Sequence, residues 1–247
     1  MVADPTKKSV LVFAQEGRYK YTVTSPDGDP EGQLRTPHDV AISGDDCLMV
    51  VDQTKFVKIF DAADGTYVKS FATMTKYDAE KKVGTCCVTV DIQGQIIVGN
   101  YHRKLITIHD AMDGSIQSKL TVNIEPYFLA TNTKQQIIIG DLKARKVVVI
   151  DYNGKEVLII NPLLAGTPCI PMGVACDGSD NIFVAVVKED ASGKGTMDSG
   201  CILQYNSAGL FLACVARDLC YPMGMTFSRE RELFVANHET VMAFSSH

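Results

Sequence analysis

The chain has no tryptophan in 247 residues, which removes every repeat signature that needs one. It has no C-x-x-C pair, although it carries eight cysteines, Cys47, Cys86, Cys87, Cys169, Cys176, Cys201, Cys214 and Cys220, and their spacing fits no common zinc site. Most of them lie inside apolar stretches such as DDCLMVV and GVACDG. That placement reads as reduced core thiols of a cytoplasmic protein rather than as a disulfide framework. Nothing near the adjacent Cys86 and Cys87 argues for a lowered thiol pKa. No apolar run approaches the roughly 18 residues of a membrane helix. The N-terminus lacks the basic patch and apolar core of a signal peptide, and no Asn-x-Ser/Thr sequon occurs. Positive charge is not in excess: the net charge is −5 and the pI near 5.5. Neither a membrane partner nor DNA is expected on these totals. No stretch keeps a helical period between caps, and there is neither a G-x-S-x-G elbow nor a phosphate-binding glycine loop.

What the chain does have is a repeat. A short apolar strand, often just after a proline, recurs as TPHDVAI (36–42), GTCCVTV (84–90), EPYFLAT (125–131), IPMGVAC (170–176) and YPMGMTF (221–227). This is strand A. Strand B ends in a small acidic or amide residue in most copies: CLMVVD (47–52), QIIVGN (95–100), QIIIGD (136–141), NIFVAV (181–186) and ELFVAN (232–237). Strand C alternates, as in FVKIFD, LITIHD and KVVVID, and a glycine turn leads to strand D. The period, roughly 41 to 51 residues, suits four-stranded propeller blades. Asp64-Gly65, Asp113-Gly114 and Asn153-Gly154 recur at one place in the repeat, where a hairpin between C and D needs positive φ. Strand B is apolar on consecutive positions, as a strand buried on both faces must be, while C and D alternate. The order A–B–C–D therefore runs from a central channel outwards, and the fold class is all-β.

The pattern P-x-G/D-V-A, hydrophobic-V-A/G-D/N, V-x-V/I-F-D, D/N-G resembles the NHL repeat over nearly the whole chain. WD40 and kelch patterns fit less well, for want of tryptophan and of a Gly-His…Trp-Asp signature. The resemblance implies a six-bladed propeller, residues 1–247 as one domain. Its blades would cover 1–24 (partial), 34–71, 82–122, 124–160, 169–215 and 220–245 (partial). It also implies the C-terminal part of a tripartite-motif protein, in which a RING finger confers ubiquitin-ligase activity and the propeller chooses the target. This stretch contains no RING finger, B-box or coiled coil.

Related propellers that are enzymes, of the lactonase and amidating-lyase types, hold a metal at the axis. Aligning the A strands puts His38, Cys86, Tyr127, Met172 and Met223 at one collar position and Asp39, Cys87, Phe128, Gly173 and Gly224 at the next. One His, one Asp and two thiols fall short of three converging ligands unless His38, Asp39, Cys86 and Cys87 meet. His102, His109 and His238 lie elsewhere in the repeat. No cofactor and no catalytic residue is expected.

In this topology the B–C and D–A loops share one end of the blades. The B–C segments carry Lys7 and Lys8, then Lys55, then Tyr101, His102, Arg103 and Lys104, then Lys143, Arg145 and Lys146. The D–A loops add Lys76, Tyr77, Lys81 and Lys82, with Asp27, Asp29, Glu31, Asp78 and Glu80. The A–B and C–D turns carry mostly aspartates. A basic loop face suits an acidic or phosphorylated protein segment, or a single-stranded RNA stacked on Tyr101 or Tyr77. Equally, such cations are ordinary solvated hairpin tips. The polar, glycine-rich stretch 187–200 reads as a surface insertion between strands B and C of the fifth blade.

The opening MVADPTKKSVLVF matches MVVDQTKFVKIF (49–60). The first blade thus begins at strand B, and the last stops after strand C. One missing piece, D of the last blade and A of the first, would repair both in roughly 30 residues. The expectation is that Met1 is not the natural start of the domain, and that the open edges favour aggregation.

Overall fold

The computed structural model describes residues 1–14, 16–26, 31–44, 46–74, 84–190, 194–196, 199–228, 230–238 and 240–244. Every regular element among them is a strand. The chain is an all-β propeller of six antiparallel blades. Blade 1 is β1 (Val2–Asp4), β2 (Ser9–Phe13) and β3 (Tyr19–Val23). Blade 2 is β4 (Asp39–Ile42), β5 (Cys47–Val51), β6 (Phe56–Asp61) and β7 (Tyr67–Ala72). Blade 3 is β8 (Thr85–Val90), β9 (Ile96–Asn100), β10 (Leu105–His109) and β11 (Ile116–Thr121). Blade 4 is β12 (Phe128–Thr131), β13 (Gln136–Asp141), β14 (Lys146–Asp151) and β15 (Glu156–Ile160). Blade 5 is β16 (Leu163–Leu164), β17 (Thr167–Cys176), β18 (Ile182–Lys188), β19 (Gly200–Tyr205) and β20 (Phe211–Leu219). Blade 6 is β21 (Pro222–Phe227), β22 (Leu233–Asn237) and β23 (Thr240–Phe244). Two compact units, Met1–Asn123 and Ile124–His247, hold three blades each.

The B strands carry the seams between blades. Leu48 and Val50 of β5 pack against Val10, Val12 and Val23 of blade 1. Met49 and Val51 point the other way, onto Val88, Ile96 and Val98 of blade 3. The second unit repeats this with β18. Val184 and Val186 meet Ile138, Val147 and Val149 of blade 4, and Ala185 and Val187 meet Leu233 and Val235 of blade 6. A side chain of this kind, fully buried, contributes about 1.5–3 kcal/mol, so the unbroken apolar run of strand B is what joins one blade to the next.

Each described C–D hairpin turns on a glycine with positive φ: Gly17 (78°), Gly65 (81°), Gly114 (73°), Gly154 (82°) and Gly209 (79°). The residues before them keep negative φ, so these are not two-residue turns of the mirror-image type. The glycine instead serves a bulge, and the C–D register shifts at Val12/Phe13, Ile59/Phe60, Ile108/His109, Val149/Ile150 and Gln204/Tyr205. The residue ending strand C caps the turn. Asp61 Oδ1 accepts the Ala63 amide at 2.7 Å, Asp110 that of Met112 at 2.8 Å and Asp151 that of Asn153 at 2.9 Å. One hairpin lies outside the repeat. Ala165 (φ 52°) and Gly166 (φ 81°) form a two-residue turn that folds β16 onto the start of β17.

Candidate functional site

The residue at the end of strand B shapes the B–C loop. Asp4 Oδ1 accepts the Lys7 amide at 2.9 Å, Asn100 Oδ1 that of Arg103 at 3.2 Å, and Asp141 Oδ1 those of Lys143 at 2.8 Å and Ala144 at 2.9 Å. The other oxygen reaches back towards the D–A loop. Asp52 Oδ2 accepts the Arg35 amide at 2.9 Å and Asp141 Oδ2 that of Glu125 at 2.8 Å. The B–C turns of blades 1, 2, 3, 4 and 6 have one left-handed residue each, Lys8 (53°), Gln53 (61°), Lys104 (50°), Arg145 (57°) and His238 (49°).

In the first unit these turns gather aromatic and cationic groups. The Tyr101 and His102 rings lie 4.1 Å apart at a 36° tilt. They rest on Gly84, where a Cβ would come within 2.7 Å of His102 Cδ2 and 2.8 Å of Tyr101 Cε1. The Tyr101 amide also donates to the Gly84 carbonyl at 3.1 Å. His102 and Lys104 are exposed and Arg103 half-buried. In blade 2 the Lys55 ammonium lies 5.3 Å from the centre of the Phe56 ring. The two loops are tied, since the Gln53 amide donates to the Thr85 carbonyl at 3.0 Å. His38 meets the Gln53 side-chain amide, and burial holds its imidazole below the ordinary pKa.

In the second unit two of the expected cations hold carboxylates. Lys143 Nζ lies 2.8 Å from Glu125 Oε2, which also accepts the Tyr127 hydroxyl at 2.8 Å. Burial and Glu125 together push the Tyr127 pKa up to about 12, and the bond to Glu125 raises that of Lys143. Arg145 pairs with Glu189, across to blade 5. Lys146 is half-buried at the start of β14. Lys76, Tyr77, Asp78, Glu80, Lys81, Lys82, Asp27 and Asp29, along with parts of 187–200, lie outside the described residues.

The collar positions resolve differently in each unit. In the first, Asp39 Oδ2 accepts the Val88 amide at 3.0 Å and Oδ1 its neighbour Val40's at 2.9 Å. Burial pushes the Asp39 pKa up to about 7. The Cys86 and Cys87 sulfurs are 3.8 Å apart. So blades 2 and 3 do bring Asp39 beside the two thiols, while His38 turns to Gln53. No three His, Cys, Asp or Glu among the described residues are placed to share a metal ion. In the second unit Tyr127 belongs to the Glu125 network, Met172 is buried in the seam with blade 6 and Met223 is 46% exposed. A Cβ on Gly173 would fall 1.9 Å from the Met223 carbonyl oxygen. These backbones touch there, and packing accounts for the small residue.

The chain is similar to the crystal structure of a protein of unknown function from Bacteroides caccae. The TM-score is 0.67 at 14% sequence identity, over 93% of this chain and 78% of that one. No family model and no curated protein matches the chain.

Two buried polar groups escaped the sequence reading. Lys58 and Asp52 form an ion pair with side chains 3% and 0% exposed. His109 is completely buried, with Nδ1 2.9 Å from the Gly114 carbonyl and Nε2 2.8 Å from the Thr107 hydroxyl. Asp52 at the end of strand B, Lys58 in strand C and the Thr107-x-His109 pair were visible in the sequence. Which neighbours enclosed them was not.

Proposed function

We propose that this chain is a recognition module that holds an acidic or phosphorylated segment of a partner protein on the B–C loops of its first unit, and that it has no catalytic site of its own. The observation that carries the reading is the blade 3 turn, where the stacked Tyr101 and His102 stand beside Arg103 and Lys104, with Lys55 on the neighbouring turn. In the second unit the equivalent Lys143 and Arg145 pair with Glu125 and Glu189, whereas Lys104 is exposed. Arginine and lysine on a rigid turn favour carboxylates and phosphates, and the aromatic pair supplies apolar area at little entropic cost. The NHL-like repeat supports a place in a tripartite-motif ubiquitin ligase, with this module selecting the target.

The same aromatic pair supports a second reading, single-stranded RNA with a base laid on Tyr101 and His102. Fluorescence anisotropy with acidic peptides and with short RNAs at two salt concentrations separates the two. On the protein reading, Arg103→Glu with Lys104→Glu weakens peptide binding by about tenfold or more, while Lys143→Glu with Arg145→Glu has little effect. RNA affinity that falls steeply with salt, without peptide binding, would replace the first reading by the second. Unchanged affinity for both ligands in the Arg103/Lys104 variant would sink both.

A further inference from the structure

In a regular strand, neighbouring side chains point to opposite faces, so adjacent cysteines hold their sulfurs apart. Strand β8 is not regular there. Thr85 pairs with Asn100 and Cys87 with Gly99, which leaves Cys86 as the extra residue of a bulge. The bulge turns the two side chains together and sets the sulfurs 3.8 Å apart. Both residues are buried, at 5% and 1% exposure. Asp39, on the adjoining strand of blade 2, reaches the same place through its bond to the amide of Val88 and is itself only half-buried.

We infer that Cys86 and Cys87 form a dithiol site for a thiophilic centre that needs two protein sulfurs, and that a trivalent organoarsenical is the ligand class that fits. The choice follows from the number of donors, and the separation excludes a linear centre. With bonds from sulfur of about 2.3 Å, a separation of 3.8 Å subtends an angle of about 110° at the bound atom. A linear two-coordinate cuprous ion needs sulfurs about 4.6 Å apart at that bond length. Zinc needs four ligands, and no group of three or more His, Cys, Asp or Glu among the described residues is placed to hold one. A monosubstituted arsenic(III) is three-coordinate and pyramidal. Its own carbon fills one position, and two sulfurs complete it. The reaction is a condensation: an arsenoxide and two thiols give a dithioarsenite and one water. Two As–S bonds form, the As–O bond is lost, the two thiol protons leave in the water, and nothing is oxidised. Burial, assisted by the Cys86 contact and Asp39, keeps the Cys87 thiol protonated. Cys87 is thereby protected from reagents that act on a single thiolate, while an arsenical gains from closing a chelate.

The test is titration of the native chain with phenylarsine oxide, read by intact mass and by loss of thiol titre. The expected result is one adduct per chain, with loss of two thiols, that survives excess monothiol and is released by a dithiol. Cys86→Ser and Cys87→Ser each abolish it. The control variant Cys201→Ser with Cys214→Ser retains it, and thermal melting of all variants checks that they fold. An adduct that persists in Cys86→Ser, or that forms only after denaturation, would overturn the assignment.

Discussion

His109 shows how one side chain can carry a pH response through the fold. It fills a position where blade 2 has Phe60, and its ring packs 5.0 Å from that of Phe71. The Nδ1–H donates to the Gly114 carbonyl, and in the neutral ring Nε2 accepts the Thr107 hydroxyl. Burial lowers its pKa in the folded state. The unfolded chain therefore binds the proton more readily. Stability is full above about pH 6.5, the ordinary histidine value, and declines as pH falls from there towards the lowered folded pKa. The expected slope from this group is at most about 1.4 kcal/mol per pH unit. Urea melts between pH 7.5 and 5.5 should show that component in the native chain and not in His109→Phe; equal slopes would show that another group carries it.

At the scale of the element, the C–D hairpins separate two costs that a glycine position can hide. Gly17 has φ 78° and open space around a would-be Cβ, whereas Gly114 has φ 73° and a Cβ there would lie 2.3 Å from the Phe71 ring. Alanine at Gly17 should cost about 1 kcal/mol, for the left-handed backbone alone. Alanine at Gly114 should cost about 2–3 kcal/mol, since the ring must also move. Chemical denaturation of both variants measures the difference, and equal losses would mean that Phe71 yields freely. The Asp-Gly and Asn-Gly pairs were legible as hairpins because positive φ is a local demand of the chain. That the hairpins are bulged was not, because a bulge depends on the register of two paired strands. The β16 hairpin stayed hidden for a similar reason: Ala-Gly has no strong turn preference, and only pairing with the start of β17 makes it one.

At the scale of the whole molecule, the outermost strand of each blade leaves an edge. β23 is an outermost strand of a three-stranded sheet, with Val241 47% and Met242 36% exposed. Exposed apolar edges pair with other chains. Val241→Lys should lower concentration-dependent association in sedimentation and leave the melting temperature nearly unchanged; association unaltered by the charge would place the contact elsewhere. The sequence by itself determined the all-β class, the order of the four repeating strands and the glycine positions of the C–D turns. It could do so because alternation, unbroken apolar runs and left-handed glycines act over a few residues. Only the tertiary structure decided which loop cations are already paired with Glu125 and Glu189, that a bulge brings the sulfurs of Cys86 and Cys87 together beside Asp39, and that His109 and Lys58 are sealed in the core. Those outcomes depend on side chains tens of residues apart, brought close by the packing of one blade on the next.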